Sequence, residues 1–285
     1  ADGLSAGVSR GDGHHALFSV SISLTPAGAE ARDAIEATLF AAIEQVREAG
    51  LEAWRYEEKA SLAEQEFRFQ QHGAPRQEAM RLAMNLSRFP MEDVQYAAYR
   101  MDGFDRERSE AYLAALTPDQ LIRLYSAPDV EGEQTSPWFH APWGEDNHGG
   151  EATALAGLAL PEPNPFIAED LTLLEAQDER PQHLVAEPAF DLWHMADASF
   201  STPKVEWRFS LQNPGAASSA RDAALARLLA GWLDDSLNEA LYPARLAGQH
   251  VEAYAHARGI TLAFSGWRDR QERMMERVLE QLQAG

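Results

Sequence analysis

Residues 16–24 show the clearest pattern in the chain, an alternation of apolar and polar side chains. The apolar members share one face of an extended chain and the serines between them share the other: Phe18, Val20, Ile22 and Leu24. A period of two with polar alternates predicts a half-buried β-strand. Thr25-Pro26 then supplies an N-cap and a first helical position, so a helix is expected to follow directly.

Helical spacing dominates the next hundred residues. Apolar residues recur three and four positions apart at Ile35, Leu39, Ile43 and Val46, which predicts a helix that ends at Gly50. A second helix is predicted from about Leu51 to Gln71. Shorter helices are predicted over residues 75–88, 91–101, 105–115 and 117–125. Residues 127–150 are rich in Pro, Gly and acidic residues, which indicates a loop with a short strand.

The opening pattern returns in the last third of the chain. Apolar residues alternate with polar ones from Val205 to Leu211, a turn follows at Asn213-Pro214-Gly215, and a long helix is predicted over residues 225–241. Two strands over 250–256 and 259–265 should form a hairpin, and a last helix should cover 268–283. A strand, a proline-containing turn and a long helix therefore occur twice, some 190 residues apart, as in two related modules.

The fold class that these elements predict is α+β, with two related modules of antiparallel sheet packed against long helices. Between the modules, Leu160 to Ile167 contains three prolines in five residues, and acidic, weakly periodic sequence follows. Closely spaced prolines favour an extended, semi-rigid connector. We therefore predict three parts: a first domain over 1–157, a linker over 158–186 and a second domain over 187–285.

Composition narrows the classes of partner. Apolar residues make up 45% of the chain and the net charge is −21, with Lys59 and Lys204 as its lysines. A negative field repels phosphate backbones, so we expect no nucleic acid, and no apolar run reaches the roughly 20 residues of a membrane helix. The absence of cysteine fits the cytoplasm or the periplasm of a bacterium equally. The first residue is Ala1 and not Met, which suggests a processed or excised start.

No complete catalytic or metal site is visible in the sequence. His14 and His15 are adjacent, so their side chains diverge, and His250 and His256 lie about 20 Å apart if they share a strand. His140 and the run His148-Gly-Gly-Glu151 lie in the loop, but Ala152 stands where an inverted zinc motif needs its second histidine. Nucleophile elbows and phosphate-binding loops are absent. The acidic pairs Glu57-Glu58 and Asp234-Asp235 read as solvated helix faces, and Trp54, Tyr56, Phe67 and Phe69 read as core.

Several runs resemble the insulinase/pitrilysin family of zinc endopeptidases in the right order along nearly the whole chain. They are Leu24-Thr25-Pro26-Ala27-Gly28, Arg47-Glu48-Ala49-Gly50, Glu66-Phe67-Arg68-Phe69, the connector 160–167, Asp235-Ser236-Leu237-Asn238-Glu239-Ala240 and Ala244-Arg245-Leu246-Ala247-Gly248. By this resemblance the chain begins midway through the second of four modules and stops midway through the third. The resemblance implies that zinc is held by a His-x-x-Glu-His motif of the first module. This chain would then hold no catalytic residue, no metal ligand and no cofactor of its own.

The resemblance also implies two kinds of partner: a peptide substrate and the remaining modules of the same polypeptide. Members anchor the N-terminal end of the substrate on an edge strand of the second module, and the matching residues here are Leu4, Ser5, Ala6 and Gly7. Alanine stands at position 6, where the family prefers glycine. The alternative for this segment is a frayed chain end without function.

Two readings of function therefore stand side by side. In the first, the chain is a scaffold and substrate-chamber segment of a zinc-dependent endopeptidase that acts on peptides. In the second, it belongs to a catalytically inactive homologue that serves as a binding or assembly subunit. A subfamily that processes the peptide precursor of pyrroloquinoline quinone shares the architecture. A standalone small enzyme is disfavoured because no reactive constellation is visible.

Overall fold

The chain has an α+β fold, and the strand pairs of its described residues are antiparallel. The computed structural model describes residues 2–10, 16–71, 73–145, 152–175 and 179–284. Its strands are β1 (Gly3–Arg10), β2 (Ala16–Ser23), β3 (Gln134–Thr135), β4 (Pro142–Trp143), β5 (Gln182–Glu187), β6 (Phe190–His194), β7 (Lys204–Gln212), β8 (His250–His256) and β9 (Gly259–Trp267). Its α-helices are α1 (Pro26–Glu30), α2 (Arg32–Ala49), α3 (Ala53–Arg68), α4 (Pro75–Leu86), α5 (Arg106–Ala114), α6 (Ala220–Ala240), α7 (Tyr242–Leu246) and α8 (Gln271–Ala284).

The predicted passage from strand to helix near residue 25 is confirmed. β2 ends at Ser23, and the Thr25 hydroxyl accepts the Gly28 N–H at 3.2 Å to cap α1. The backbone breaks the helix at Ala31 and resumes as α2, which the sequence did not predict. α2 ends as expected at Gly50, whose φ of +76° suits a residue without a Cβ.

Two predicted helices, 91–101 and 117–125, are wrong. The first is a 3-10 helix at Met91–Asp93 followed by turns, and the three-residue spacing places Tyr96 and Tyr99 together on the Phe67 ring. The second is a 3-10 helix at Pro118–Gln120 that gives way to extended backbone at Leu121. There Ile122 and Leu124 are 88% and 91% exposed while Arg123 turns to Asp33 and Glu36, so the period is two and not 3.6.

The Cα positions divide the chain into two compact units, each built from two segments. One unit contains Ala1–Glu52 and Phe104–Glu162, and the other contains Ala53–Gly103 and Pro163–Gly285. The second unit takes up α3 and α4, which the sequence assigned to the first domain. The domain boundaries at 157 and 186 stay a prediction, and β5 begins within the predicted linker.

The second unit holds the main hydrophobic core. Its three-stranded sheet has the strand order β7-β9-β8, and α6 and α8 pack against it; β5 and β6 pair separately in the same unit. The core joins side chains from both helices and from β9: Leu233, Leu237, Leu262, Phe264, Met274 and Val278. Burial of these apolar side chains stabilises the packing of the two helices on the sheet. The hairpin between β8 and β9 confirms the turn predicted at Arg258-Gly259.

The proline-rich segment after residue 162 is bound to the second unit by specific contacts. Phe166 is buried in the core, and Asn164 bridges two backbone groups, accepting the Phe166 N–H and donating to the Pro243 carbonyl. Arg270 donates to the Ile167 carbonyl at 2.8 Å. Residues 163–167 are thus held in place rather than free, and the backbone turns at Pro165 and Phe166 instead of staying extended as predicted.

None of the helices in the described ranges is long and apolar enough to span a bilayer.

Candidate functional site

The first element of the chain is an antiparallel hairpin with two chemically different faces. The register pairs Leu4 with Ile22, Ala6 with Val20 and Val8 with Phe18, so one face is apolar. The other face carries only Gly and Ser over the same length, because Gly3, Ser5 and Gly7 pair with Ser23, Ser21 and Ser19. Alternating side chains on two long strands explain why this hairpin forms.

The residues singled out in the sequence, Leu4 to Gly7, all lie in β1. Within the described ranges β1 pairs with β2 alone, so its other edge carries no strand. All four residues are exposed, with Leu4 at 70%. In an antiparallel ladder the backbone N–H and C=O of successive residues point alternately to the partner strand and away from it. Two of the four residues therefore present both backbone groups to the open edge.

An open strand edge of this kind suits one form of recognition. An extended peptide can add to it as a further strand, with backbone hydrogen bonds supplying affinity and alternate side chains supplying selectivity. The Gly/Ser face leaves room for the side chain of a bound peptide, since even a Cβ built on Gly7 would meet no atom within 4 Å. The opposite face offers apolar contact from Leu4, Ala6 and Val8.

The histidines do not assemble into a metal site in the described part of the chain. His250 and His256 occupy the two ends of β8, and His256 contacts Thr261 at 3.1 Å. His140 has a φ of +52° in the turn between β3 and β4, where its N–H donates to the Ser136 carbonyl. His14, His15, His148 and Glu151 lie outside the described residues. Over the described ranges no group of three or more His, Cys, Asp or Glu residues is placed to hold a metal ion.

Residues 222–230, in the N-terminal half of α6, have a structural role. Ser219 caps the helix, and the Ser218 and Ser219 hydroxyls donate to the Asp222 carboxylate at 2.6 and 2.7 Å. The bond from Ser218, and then the bond from Ser219, lower the pKa of Asp222. The carboxylate is thereby held at the N-terminus of the helix, where a negative charge is favourable. Ala230 at the other end is buried. The side chains of this segment do not fit a zinc ion.

The acidic pair Glu57-Glu58 was expected to be solvated, and for Glu58 this is wrong. Its carboxylate is half-buried and accepts the Asn164 N–H at 2.6 Å, which ties α3 to the proline-rich segment. Neighbouring positions on a helix face different ways, and Glu57 remains exposed as expected. Only the tertiary fold brings residues 58 and 164 together, so no local signal could have revealed the bond.

The aromatic residues read as core are half-buried and packed. Phe67 contacts the Tyr96 and Tyr99 rings at 4.8 and 5.6 Å between centroids. Phe69 meets the Trp267 ring edge-on at 5.2 Å. These contacts belong to the second unit and link α3 to the turn after α4 and to β9.

Comparison with known proteins places these features in a family. Residues 67–284 match the family described as "Middle or third domain of peptidase_M16". The chain belongs to the insulinase/pitrilysin peptidase family. This membership confirms the resemblance seen in the runs from Leu24 to Gly248.

Individual relatives agree with the family match. The chain is 27% identical to "Insulin-degrading enzyme-like 1, peroxisomal" of Arabidopsis thaliana, covering 98% of this chain and 30% of that protein. It is 26% identical to the insulin-degrading enzyme of Homo sapiens, covering 93% of this chain and 27% of that protein. Protease 3 of Shigella flexneri is 26% identical, with 94% and 29% covered.

The fold agrees as well. A crystal structure of pitrilysin superposes with a TM-score of 0.82 at 24% identity, covering 98% of this chain and 31% of that one. The chain thus spans about 30% of the length of the relatives that it matches.

Proposed function

We propose that this chain is a non-catalytic scaffold and substrate-chamber segment of a zinc-dependent endopeptidase that acts on peptides. The observation that carries the proposal is the match of residues 67–284 to the middle or third domain of the family. In the family that the sequence resembles, the zinc motif belongs to the first module. The remaining modules of the same polypeptide would supply the metal site and the reacting groups. This chain would form part of the wall of the substrate chamber and support the other modules.

The test starts with the coding sequence upstream of the Ala1 codon. An open frame that encodes His-x-x-Glu-His with a later glutamate is the expected result. The full-length protein should then bind one zinc and cleave unfolded peptides, whereas the present chain alone should cleave none. A frame that continues without the motif would favour the inactive homologue that serves as a binding or assembly subunit. A start codon directly before Ala1 would overturn the proposal.

The role that we propose for Leu4 to Gly7 is to anchor an extended peptide substrate on the open edge of β1. The exposed backbone and the absence of a second partner strand in the described ranges support this role. Backbone pairing tolerates many sequences, which suits a peptidase that acts on peptides of varied sequence.

Proline substitution tests the anchor because proline has no N–H to donate. Since successive residues alternate, one of Ser5 and Ala6 points its N–H to β2 and the other to the open edge. We expect one of Ser5→Pro and Ala6→Pro to weaken peptide binding by calorimetry about tenfold without lowering the melting temperature. The other should destabilise the hairpin. Unchanged peptide affinity in both variants would refute the anchor.

A further inference from the structure

Residues 121–125 have the alternating exposure of a β-strand, although no described strand pairs with them. Ile122 and Leu124 are 88% and 91% exposed, whereas Tyr125 is 37% exposed and the Arg123 side chain 31%. Successive side chains of an extended chain point to opposite faces. Ile122 and Leu124 therefore form an outer row, and Arg123 and Tyr125 form an inner row.

The first turns of α2 hold the inner row in place. Arg123 Nη1 donates to the carboxylates of Asp33 and Glu36, at 2.9 Å to each. The Arg32 guanidinium lies 4.2 Å from the centre of the Tyr125 ring. All of these residues belong to the first unit. The segment is thus fixed in an extended form before any partner arrives, which lowers the entropic cost of binding one.

The backbone of the segment offers free hydrogen-bonding groups. The Leu121 N–H donates to the Pro118 carbonyl, but over the described ranges no backbone hydrogen bond involves the N–H or C=O groups of residues 122–125. All four of these residues are exposed. An extended backbone with unpaired groups is a template to which a further strand can add. Such a strand would also cover the aliphatic outer row, whose burial is favourable.

Charge and strand length indicate which partner fits this template. Two copies of the chain each carry a net charge of −21 and repel one another, which disfavours a second copy. A free peptide would bind weakly, because a single pair of short strands is marginally stable in water. A strand tethered to the same polypeptide has a much higher effective concentration. The relatives have room for one, since the chain spans about 30% of their length.

We propose that residues 121–125 dock a β-strand from the remaining modules of the same polypeptide. The partner strand pairs with the backbone of residues 122–125 and places apolar side chains beside Ile122 and Leu124. Its side chain next to Arg123 is uncharged or basic, because two carboxylates already contact that guanidinium. The proposal rests on the proposed function only in assuming those further modules, and it requires neither zinc nor peptide cleavage.

Hydrogen–deuterium exchange on the full-length protein and on the present chain tests this docking. The amides of residues 122–125 should exchange within seconds in the present chain, because none of them is paired. In the full-length protein about half of these amides or more should exchange about 100-fold more slowly, since one neighbouring strand pairs alternate amides. Equally fast exchange in both proteins would overturn the proposal.

The same measurement separates this proposal from the zinc-dependent activity. Slow exchange in a full-length protein without His-x-x-Glu-His would support the docking and refute the zinc peptidase. Fast exchange in a full-length protein that binds zinc and cleaves peptides would overturn the docking alone.

Leu124→Ser tests the outer row by a second route. It should leave the melting temperature of the present chain unchanged, because Leu124 is almost fully exposed there, and should lower that of the full-length protein by several degrees. Leu124→Val keeps an apolar, branched side chain and should restore most of the loss. Leu174→Ser is the control, since Leu174 and its neighbour Leu173 are both exposed and show no strand-like alternation. It should be neutral in both proteins. A full-length Leu124→Ser variant that melts with the unmodified protein would refute the docking.

Discussion

At the scale of single residues, two glycines show that the surrounding atoms and the backbone conformation decide how an added Cβ changes stability. Gly266 has a φ of +139°, and a Cβ there would approach the Gly248 carbonyl oxygen to 2.7 Å. Gly231 lies in α6, where a Cβ meets no atom within 4 Å. We expect Gly266→Ala to lower the free energy of unfolding by about 1–3 kcal/mol and Gly231→Ala to raise it by roughly 0.5–1 kcal/mol. Urea unfolding of both variants checks the opposite signs, and a shift in the same direction would contradict the model of backbone strain.

Also at the residue scale, the stability that the Asp170 carboxylate contributes should depend on pH. Bonds from the Thr172 hydroxyl and N–H, and then from Arg268 at 2.7 Å, lower the pKa of Asp170 to about 2. A carboxyl whose pKa is lower in the folded state stabilises that state above its unfolded pKa of 3.8, and the effect is lost as the pH falls towards 2.

Asp170→Asn should therefore be less stable than the unmodified chain at pH 6, and the two should converge between about pH 4 and pH 2. Urea midpoints along a pH series measure this convergence. Asp129→Asn is the control, since Asp129 is exposed and has no ion pair within the described ranges. A difference at Asp170 that persists unchanged at pH 2 would contradict the assignment.

At the scale of elements, the sequence predicted the structure where apolar residues recur with a regular period, and it failed where distant partners decide the backbone conformation. β2, β7, β8, β9 and α6 follow their apolar periods closely. Residues 91–101 and 121–125 do not, because the packing of Tyr96 and Tyr99 against Phe67 and the ion pairs of Arg123 override a weak helical pattern. β1 entered only through family resemblance. The pocket lined by Gln65, Arg81 and Trp267 brings together residues up to about 200 positions apart, so no sequence pattern could predict it.

The helix α6 carries an element-scale prediction with its own control. Leu237 is 1% exposed in the core, whereas Leu228 on the same helix is 68% exposed. Leu237→Ala should lower the free energy of unfolding by about 2–5 kcal/mol, because it removes buried apolar contacts and leaves a cavity. Leu228→Ala should change it by less than about 0.5 kcal/mol. Chemical denaturation followed by circular dichroism measures both, and equal losses would show that helix propensity rather than packing sets the cost.

At the scale of the whole molecule, the net charge of −21 should bias which peptides bind. A field of one sign attracts ligands of the opposite sign over distances that salt controls, with a Debye length of about 10 Å at 0.1 M. We expect an extended peptide with two lysines to bind more tightly than the same peptide with two glutamates at low salt. Because the bias is electrostatic, it should shrink as salt rises to about 0.5 M, where screening is strong.

Calorimetric titration of the two matched peptides across a salt series measures this bias. Whichever of Ser5→Pro and Ala6→Pro leaves the melting temperature unchanged separates the contributions, since loss of backbone pairing on β1 weakens both peptides together and leaves their affinity ratio in place. A ratio that does not change with salt would mean that side-chain contacts, and not the field of the chain, select the peptide. Equal affinities at low salt would show that the acidic surface serves solubility alone.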